Sequence, residues 1–185
     1  MPINRRTAKW LNNIFMSAIE IHDLRDFPQW LPAVAAWHHQ EWLQGCQDRE
    51  VDSAGALAKR IKLLQEHTDD ELIPRTFLAV ATTGQGEALP VGSVSIVYYH
   101  FTSQSTPGEW LTNLYVDESY RGGGVGQQLL MHAEQFAATA GIGLLRLYTR
   151  DQDSFYSKRD WRFSHQGRVQ GAVVSVFDKR LNSAG

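Results

Sequence analysis

The segment Arg121–Gly126, which reads Arg-Gly-Gly-Gly-Val-Gly, constrains the fold more than any other part of the sequence. It holds four of the fifteen glycines and separates a run typical of a strand, residues 110–116, from a run typical of a helix, residues 129–140. Glycine leaves its backbone N–H unshielded, and the start of a helix carries a partial positive charge. Backbone N–H groups that converge in this way bind phosphate. The sequence therefore predicts an anion site between a strand and a helix.

Two familiar glycine motifs do not fit this segment. A P-loop needs Lys followed by Ser or Thr after its last glycine, whereas Gln127 and Gln128 follow Gly126. A dinucleotide-binding fingerprint that began at Gly122 would need glycine at position 127. The remaining alternative is a strand-to-helix turn without a ligand, although four clustered glycines make such a turn costly in chain entropy.

The residues that follow the glycines predict a helix and then a strand. Apolar side chains recur at helical spacing, and Gly141 stands where a helix C-terminus favours glycine. Residues 144–149 have the composition of a strand, so strand, helix and strand form a parallel βαβ unit. The buried stripe of the helix comprises Leu129, Leu130, Ala133, Phe136, Ala137 and Ala140.

The rest of the chain alternates between helical and strand periodicity, which predicts a single α/β domain. One or two short helices are expected within residues 22–42, and others over 53–64 and 154–159. A turn-rich stretch at 82–90 joins two strands as a β-hairpin. We expect a mixed, mostly antiparallel central sheet of about six to seven strands, flanked by helices. The predicted strands are 18–21, 76–81, 91–99, 110–116, 144–149 and 171–181.

Composition excludes several classes of protein. The 18 Lys and Arg residues against 20 Asp and Glu residues lack the basic excess of a nucleic-acid-binding protein. A lone cysteine, Cys46, forms no internal disulfide and fits a reducing compartment, so we expect a cytoplasmic protein. No apolar run approaches the roughly 20 residues of a membrane-spanning helix, which predicts no membrane association.

Residues 1–15 differ in character from the rest of the chain. They hold three basic and no acidic side chains, and they precede the first predicted strand. We interpret them as an N-terminal extension and residues 16–185 as the domain. The domain alone is net acidic, which favours a cationic partner. The sequence is also compatible with a homodimer.

Together, the glycine segment and the strand end before it, Leu114-Tyr115-Val116, resemble the GNAT superfamily of acetyl-CoA-dependent N-acetyltransferases. The family signature, Arg/Gln-x-x-Gly-x-Gly/Ala, is matched by Arg121, Gly124 and Gly126, and the resemblance runs from about residue 18 to residue 181. It implies that loop amides hold the coenzyme pyrophosphate, that the pantetheine pairs with the preceding strand, and that the two strands flanking the helix splay apart. The coenzyme-binding roles carry over to Leu114, Tyr115, Val116, Arg121, Gly122, Gly123, Gly124, Val125, Gly126 and Gln127.

A second likeness concerns the general acid. When the acetyl group leaves the coenzyme, the coenzyme sulfur departs as a thiolate and needs a proton. Residues 155–161 resemble the family's Phe-Tyr-x-Lys-x-Gly-Phe/Trp segment, which makes Tyr156 the implied general acid. The alternative interpretation is an ordinary half-buried aromatic residue at a helix end. Asp160 replaces the usual glycine, and Asp tolerates positive φ better than most residues. The resemblance also implies a backbone N–H near Tyr115 or Val116 that stabilises the oxyanion.

The general base has no assignment from the sequence. Many family members carry Glu where this chain has Trp110, and the neighbouring Glu109 faces the opposite side of the strand. Asn113 could hold a water molecule, and His100 or His22 could act directly, but each is equally typical of an ordinary surface or core residue. A chain of water molecules to solvent would also serve.

Residues 37–42, Trp-His-His-Gln-Glu-Trp, allow a metal interpretation, but adjacent His side chains on a helix point about 100° apart and rarely share an ion. We expect no metal and interpret this run as a helix face beside the acceptor. The predicted function is direct acetyl transfer from acetyl-CoA to a primary amine of a small molecule or peptide. A route through Cys46 is disfavoured because that residue is far in sequence from the site. The alternatives are an acyl-CoA sensor without turnover and an interaction domain that uses the basic arm.

Overall fold

The computed structural model describes residues 19–45, 54–99, 107–169 and 171–182. The predictions made for residues 1–15, Cys46 and His100 lie outside these ranges, as does the domain boundary at residue 16. None of the described helices combines the length and the apolar character that crossing a membrane requires.

One seven-stranded sheet forms the centre of the fold, with the strand order β1-β2-β3-β4-β5-β7-β6. The strands are β1 (Ile19–Asp23), β2 (Arg75–Thr82), β3 (Ala88–Tyr99), β4 (Gly108–Val116), β5 (Leu144–Thr149), β6 (Arg162–Val169) and β7 (Ala172–Arg180). The helices are α1 (Leu31–Gly45), α2 (Ala54–Gln65), α3 (Val125–Thr139) and α4 (Asp153–Ser157). Short 3₁₀ turns cover Leu24–Asp26, Pro28–Trp30, Glu66–Thr68 and Glu118–Tyr120.

The pairing confirms the predicted mixed sheet. β4 and β5, which α3 connects, are parallel, and the remaining neighbours are antiparallel. The hairpin of β2 and β3 and the βαβ unit lie where the sequence predicts them. The glycine loop therefore joins a central strand of the sheet to the helix that packs on it.

Alternating side chains of the central strands form two hydrophobic layers. On one face, Phe77 and Ala79 pack with the buried stripe of α3, which includes Leu129 and Ala133. On the other face, Leu78 packs with α1 and α2. The helix stripe predicted from the sequence is the face that α3 buries, and Gly141 has φ 80°, as the predicted helix end requires.

Two parts of the chain differ from the sequence prediction. The sequence predicts one or two short helices within residues 22–42. The structure has two 3₁₀ turns there, which lead into one 15-residue helix, α1. Residues 162–169 form the edge strand β6, which the strand-by-strand prediction lacks. Most side chains of β6 are exposed, so its sequence, Arg-Phe-Ser-His-Gln-Gly-Arg-Val, shows little of the apolar alternation that identifies strands.

Candidate functional site

A gap opens between β4 and β5 in the middle of the sheet. β4 pairs with β3 from Gly108 to Val116, but its one register pair with β5 in the described structure joins Trp110 to Arg146. Beyond Trp110 the two strands diverge, so the β5-facing backbone edge of residues 111–116 is not covered by a β5 ladder. The splay that the family resemblance implies is therefore present.

The glycine loop lies at the open end of this gap and presents backbone N–H groups. Gly122 and Gly124 have φ values of 80° and 85°, in the left-handed region that favours glycine. The first helical hydrogen bond of α3 runs from Gln128 N–H to the Gly124 carbonyl, 3.0 Å away. The N–H groups of the three residues before it, Val125, Gly126 and Gln127, therefore have no partner within the helix. The helix start has no side-chain cap either.

Contacts with β4 fix the position of this loop. Arg121 Nε donates a hydrogen bond of 2.8 Å to the Val116 carbonyl, and its guanidinium carbon lies 5.9 Å from the ring centre of Tyr115. A Cβ placed on Gly126 would lie 3.5 Å from Val116 Cγ2 and 3.8 Å from Phe155 Cζ. The predicted residues 115, 116 and 121–127 are thus neighbours in space, and α4 joins them through Phe155.

Arg159, which no motif of the sequence singles out, connects α4 to the first turn of α3. Its Nη1 donates to the Phe155 carbonyl at 2.8 Å, and its Nη2 donates to Gln127 Oε1 at 3.1 Å. Its guanidinium carbon lies 3.9 Å from the ring centre of Phe155. Nothing in the local sequence distinguishes Arg159 from its exposed neighbour Lys158, because the contact with Gln127 spans 32 positions of sequence.

Tyr156 lies on α4 in an aromatic cluster. Its ring centre is 6.1 Å from that of Trp161 and 6.2 Å from that of Phe177, and the residue is 8% exposed. Burial raises the pKa of Tyr156 to about 12, so the hydroxyl keeps its proton throughout the neutral range. Asp160 follows with φ 64°, which confirms that Asp takes the left-handed position where the family has glycine.

Comparison with known proteins agrees with this arrangement. The sequence profile of the acetyltransferase (GNAT) family matches residues 31–162, which is most of the chain. The chain belongs to this GNAT family. No curated protein sequence matches it.

Solved structures share the GNAT fold with this chain. An acetyltransferase of the GNAT family from Streptococcus pneumoniae superposes with a TM-score of 0.62 at 16% identity, over 89% of this chain and 100% of that one. A Salmonella typhimurium protein solved with its cofactor acetyl-CoA gives 0.62 at 16%, over 91% and 97%. A ribosomal-protein-alanine N-acetyltransferase from Brucella melitensis gives 0.64 at 18%, over 88% and 99%. At these identities the likeness concerns the fold alone.

The candidate bases occupy different places in this GNAT domain. Trp110 is fully buried and packs with Val174 and Val176, so the position where many family members have Glu belongs here to the core. Asn113 is exposed on β4 beside the gap. His22 lies on β1, and the two intervening strands separate it from β4 by roughly 14 Å. The structure therefore removes His22 from the site.

Residues 37–42, which the sequence predicts to form a helix face beside the acceptor, lie on α1. Trp37 stacks on Tyr115 of β4 with ring centres 5.0 Å apart, which places α1 against the end of that strand. His38 and His39 are buried. Among the described residues, no group of three or more His, Cys, Asp or Glu side chains is arranged to hold a metal ion.

Proposed function

We propose that this GNAT protein transfers the acetyl group of acetyl-CoA to a primary amine. The observation that carries the proposal is the loop of positive-φ glycines at the open end of the β4–β5 gap, with three N–H groups that no helical carbonyl uses. Such donors at a helix start match a pyrophosphate in charge and geometry.

The residues around the gap fit this coenzyme. Added Cβ atoms at Gly122 and Gly124 would meet nothing within 4 Å, so the loop is open to a ligand on its outer side. In this proposal residues 121–127 hold the pyrophosphate and the edge of Leu114, Tyr115 and Val116 holds the pantetheine. Acetyl-CoA supplies an acetyl group activated as a thioester.

Tyr156 is the proposed general acid. A donor must still carry its proton at the pH of the reaction, and the raised pKa of Tyr156 meets that condition across the neutral range. The phenol therefore has a proton for the thiolate that leaves when the amine attacks.

The proposed acceptor is a cationic small molecule or a peptide amine. The domain without residues 1–15 carries a net negative charge, which attracts cations. The amine must lose a proton before it attacks, and a chain of water molecules that begins at the exposed Asn113 would carry that proton to solvent. We propose this water route because Trp110 brings no carboxylate to β4 and His22 is distant.

The buried Trp110 also favours a second candidate, an acyl-CoA-binding module without turnover, because it takes the place of the family's usual Glu. A thermal-shift measurement and a thiol-release assay separate the two functions. Acetyl-CoA should raise the Tm of the full chain, and free thiol should appear with at least one of polyamines, aminoglycosides, amino acids or peptide N-termini. A Tm shift with no release above hydrolysis would favour the sensor. No shift at millimolar acetyl-CoA would refute both.

A further inference from the structure

Two short chains of buried polar side chains lie on the sheet face that α1 and α2 cover. In the first, which we name the His38 relay, His38 Nε2 lies 3.1 Å from Ser93 Oγ, and Ser93 Oγ donates to the Asn113 carbonyl at 3.4 Å. In the second, the His67 relay, His67 Nδ1 lies 2.8 Å from Thr76 Oγ1, which lies 2.8 Å from Ser95 Oγ. Only the first ends on a β4 carbonyl beside the gap.

The direction of the hydrogen bonds in the His38 relay follows from the carbonyl at its end, which can only accept, and from the neutral state of the His38 ring. Burial, together with the nearby charges of Arg60 and His67, lowers the pKa of His38 to about 3, so its ring is neutral and carries one N–H. Because the Ser93 hydroxyl gives its proton to the Asn113 carbonyl, Ser93 Oγ accepts from His38 Nε2–H. Each member therefore donates to the next, from α1 through β3 to β4.

The carbonyl at the end of the relay belongs to an irregular part of β4. The register shifts between Ser93 and Ser95, which pair with Tyr115 and Thr112, so Asn113 and Leu114 form a bulge. Asn113 has φ 53°, a left-handed conformation that Asn adopts more readily than most residues with a Cβ. The hydrogen bond from Ser93 on the neighbouring strand holds the Asn113 carbonyl in this conformation.

The geometry of the peptide bond extends this support to the gap. In a trans peptide the C=O and N–H groups point in opposite directions. The Asn113 carbonyl points to Ser93, which lies on β3, so the Leu114 N–H of the same peptide points away from β3, the direction in which the gap to β5 lies. A backbone N–H in that position can donate to an acyl oxygen held in the gap.

We propose that Ser93, held by His38, is a positioning residue that orients the Asn113–Leu114 peptide so that the Leu114 N–H serves the acyl carbonyl. The proposal rests on the acetyl transfer proposed above. A backbone donor near Tyr115 is already implied by the family resemblance, and the new element is the pair of side chains that orient it. His38 and Ser93 touch no reacting atom in this scheme and act through the bulge.

The test compares variants of the two relays in the full chain. Ser93→Ala removes the hydroxyl that reaches β4, and Ser95→Ala removes a buried hydroxyl of the same kind from the His67 relay. His38→Leu removes the N–H that supports Ser93, whereas His38→Gln keeps an N–H donor and should rescue the function. Ser93→Ala breaks both hydrogen bonds of Ser93 Oγ, whereas His38→Leu and Ser95→Ala each break one, so these last two variants are matched in the number of bonds lost.

The first measurement needs no turnover. In the ¹⁵N-labelled chain without ligand, the Leu114 amide resonance should move further in Ser93→Ala and His38→Leu than in Ser95→Ala and His38→Gln. Equal movement in all four would overturn the relay, whatever the protein's activity. This result is therefore independent of whether acetyl transfer is found.

The second measurement uses the best amine from the panel. Ser93→Ala and His38→Leu should lower kcat about 10- to 100-fold with KM for acetyl-CoA changed less than about 2-fold, because a misplaced donor affects the transition state more than binding. Ser95→Ala and His38→Gln should keep kcat within about 3-fold of the wild type. An active wild type with the same kcat in Ser93→Ala and Ser95→Ala would overturn the positioning role and leave the acetyltransferase function intact.

Discussion

Replacing Gly124 with Ala tests the glycine loop at one defined point. Gly124 has φ 85°, and a Cβ there would meet nothing within 4 Å, so the substitution introduces backbone strain without a steric clash. The left-handed conformation costs a residue with a Cβ about 1–2 kcal/mol relative to glycine. For a chain of this size each kcal/mol lowers Tm by about 2–4 °C. We therefore expect Tm to fall by about 2–8 °C.

The chain offers a matched control at Gly86, in the turn between β2 and β3. Its φ is 82°, and an added Cβ there also meets nothing within 4 Å. Gly86→Ala should cost the same stability as Gly124→Ala, because the strain is the same. The two variants should differ only in coenzyme binding, since only Gly124 precedes the open N–H groups of α3.

The size of the binding difference can be estimated. Strain relieved by rotating the Gly124 backbone turns at least one loop N–H away from an anion, and a hydrogen bond to a charged group contributes about 1.5–3 kcal/mol. That loss weakens binding about 10- to 100-fold. At acetyl-CoA one hundred times above the wild-type Kd, ligand stabilisation should fall from roughly 2.7 kcal/mol to roughly 1.4 kcal/mol or less.

Thermal melts with and without acetyl-CoA measure both quantities in one experiment. The reasoning fails if Gly124→Ala loses stability yet keeps the full ligand-induced shift, because the loop would then not bind the coenzyme. It also fails if Gly86→Ala loses the shift equally, since the effect would then reflect general destabilisation.

Three further predictions concern Tyr156, Arg159 and the two buried histidines His38 and His67. Tyr156→Phe should lower kcat about 100-fold with little change in acetyl-CoA affinity, measured by thiol release and thermal shift, and an unchanged kcat would remove Tyr156 from the chemistry. Arg159→Ala should raise KM for acetyl-CoA about 3- to 10-fold, because α4 loses its tie to α3, whereas Lys158→Ala, at an exposed site, should not. The pKa values of His38 and His67 are lowered to about 3 and about 4, so only the unfolded chain takes up these protons below pH ~6.5. The free energy of unfolding should therefore fall as pH drops from ~6.5 toward 4, by up to about 1.4 kcal/mol per pH unit for each His. Urea unfolding at a series of pH values measures this dependence. The prediction is contradicted if the free energy of unfolding of His67→Gln changes with pH as steeply as that of the wild type.

The parts of the fold that the sequence predicts well are those with local causes. The stripe of α3 follows from apolar spacing, and Gly141 ends the helix because its left-handed φ favours glycine. Asp160 adopts the left-handed φ expected of an Asp in a glycine position. Each of these features depends on a residue and its near neighbours.

The features that the sequence does not predict depend on distant partners. β6 is an edge strand whose side chains are mostly exposed, so its sequence has no apolar alternation that would predict a strand. Its strand conformation depends on backbone pairing with β7. The contact of Arg159 with Gln127 and that of His38 with Ser93 span 32 and 55 positions. The role of Tyr156 rests on family resemblance, because periodicity cannot show what a buried hydroxyl faces.

The place of β7 in the sheet has a consequence for the order in which the chain folds during synthesis. β5 and β6 each pair with β7 and not with each other, although both precede it along the chain. β5, which forms one side of the gap, therefore lacks its pairing partner β7 until residues 172–180 have left the ribosome. Leu145 and Leu147, which are buried in the complete sheet, lie on β5. β1 to β4 can pair while the chain is still growing, whereas the β5 side is completed last, so a nascent chain halted before residue 172 would expose an incomplete gap to chaperones and proteases.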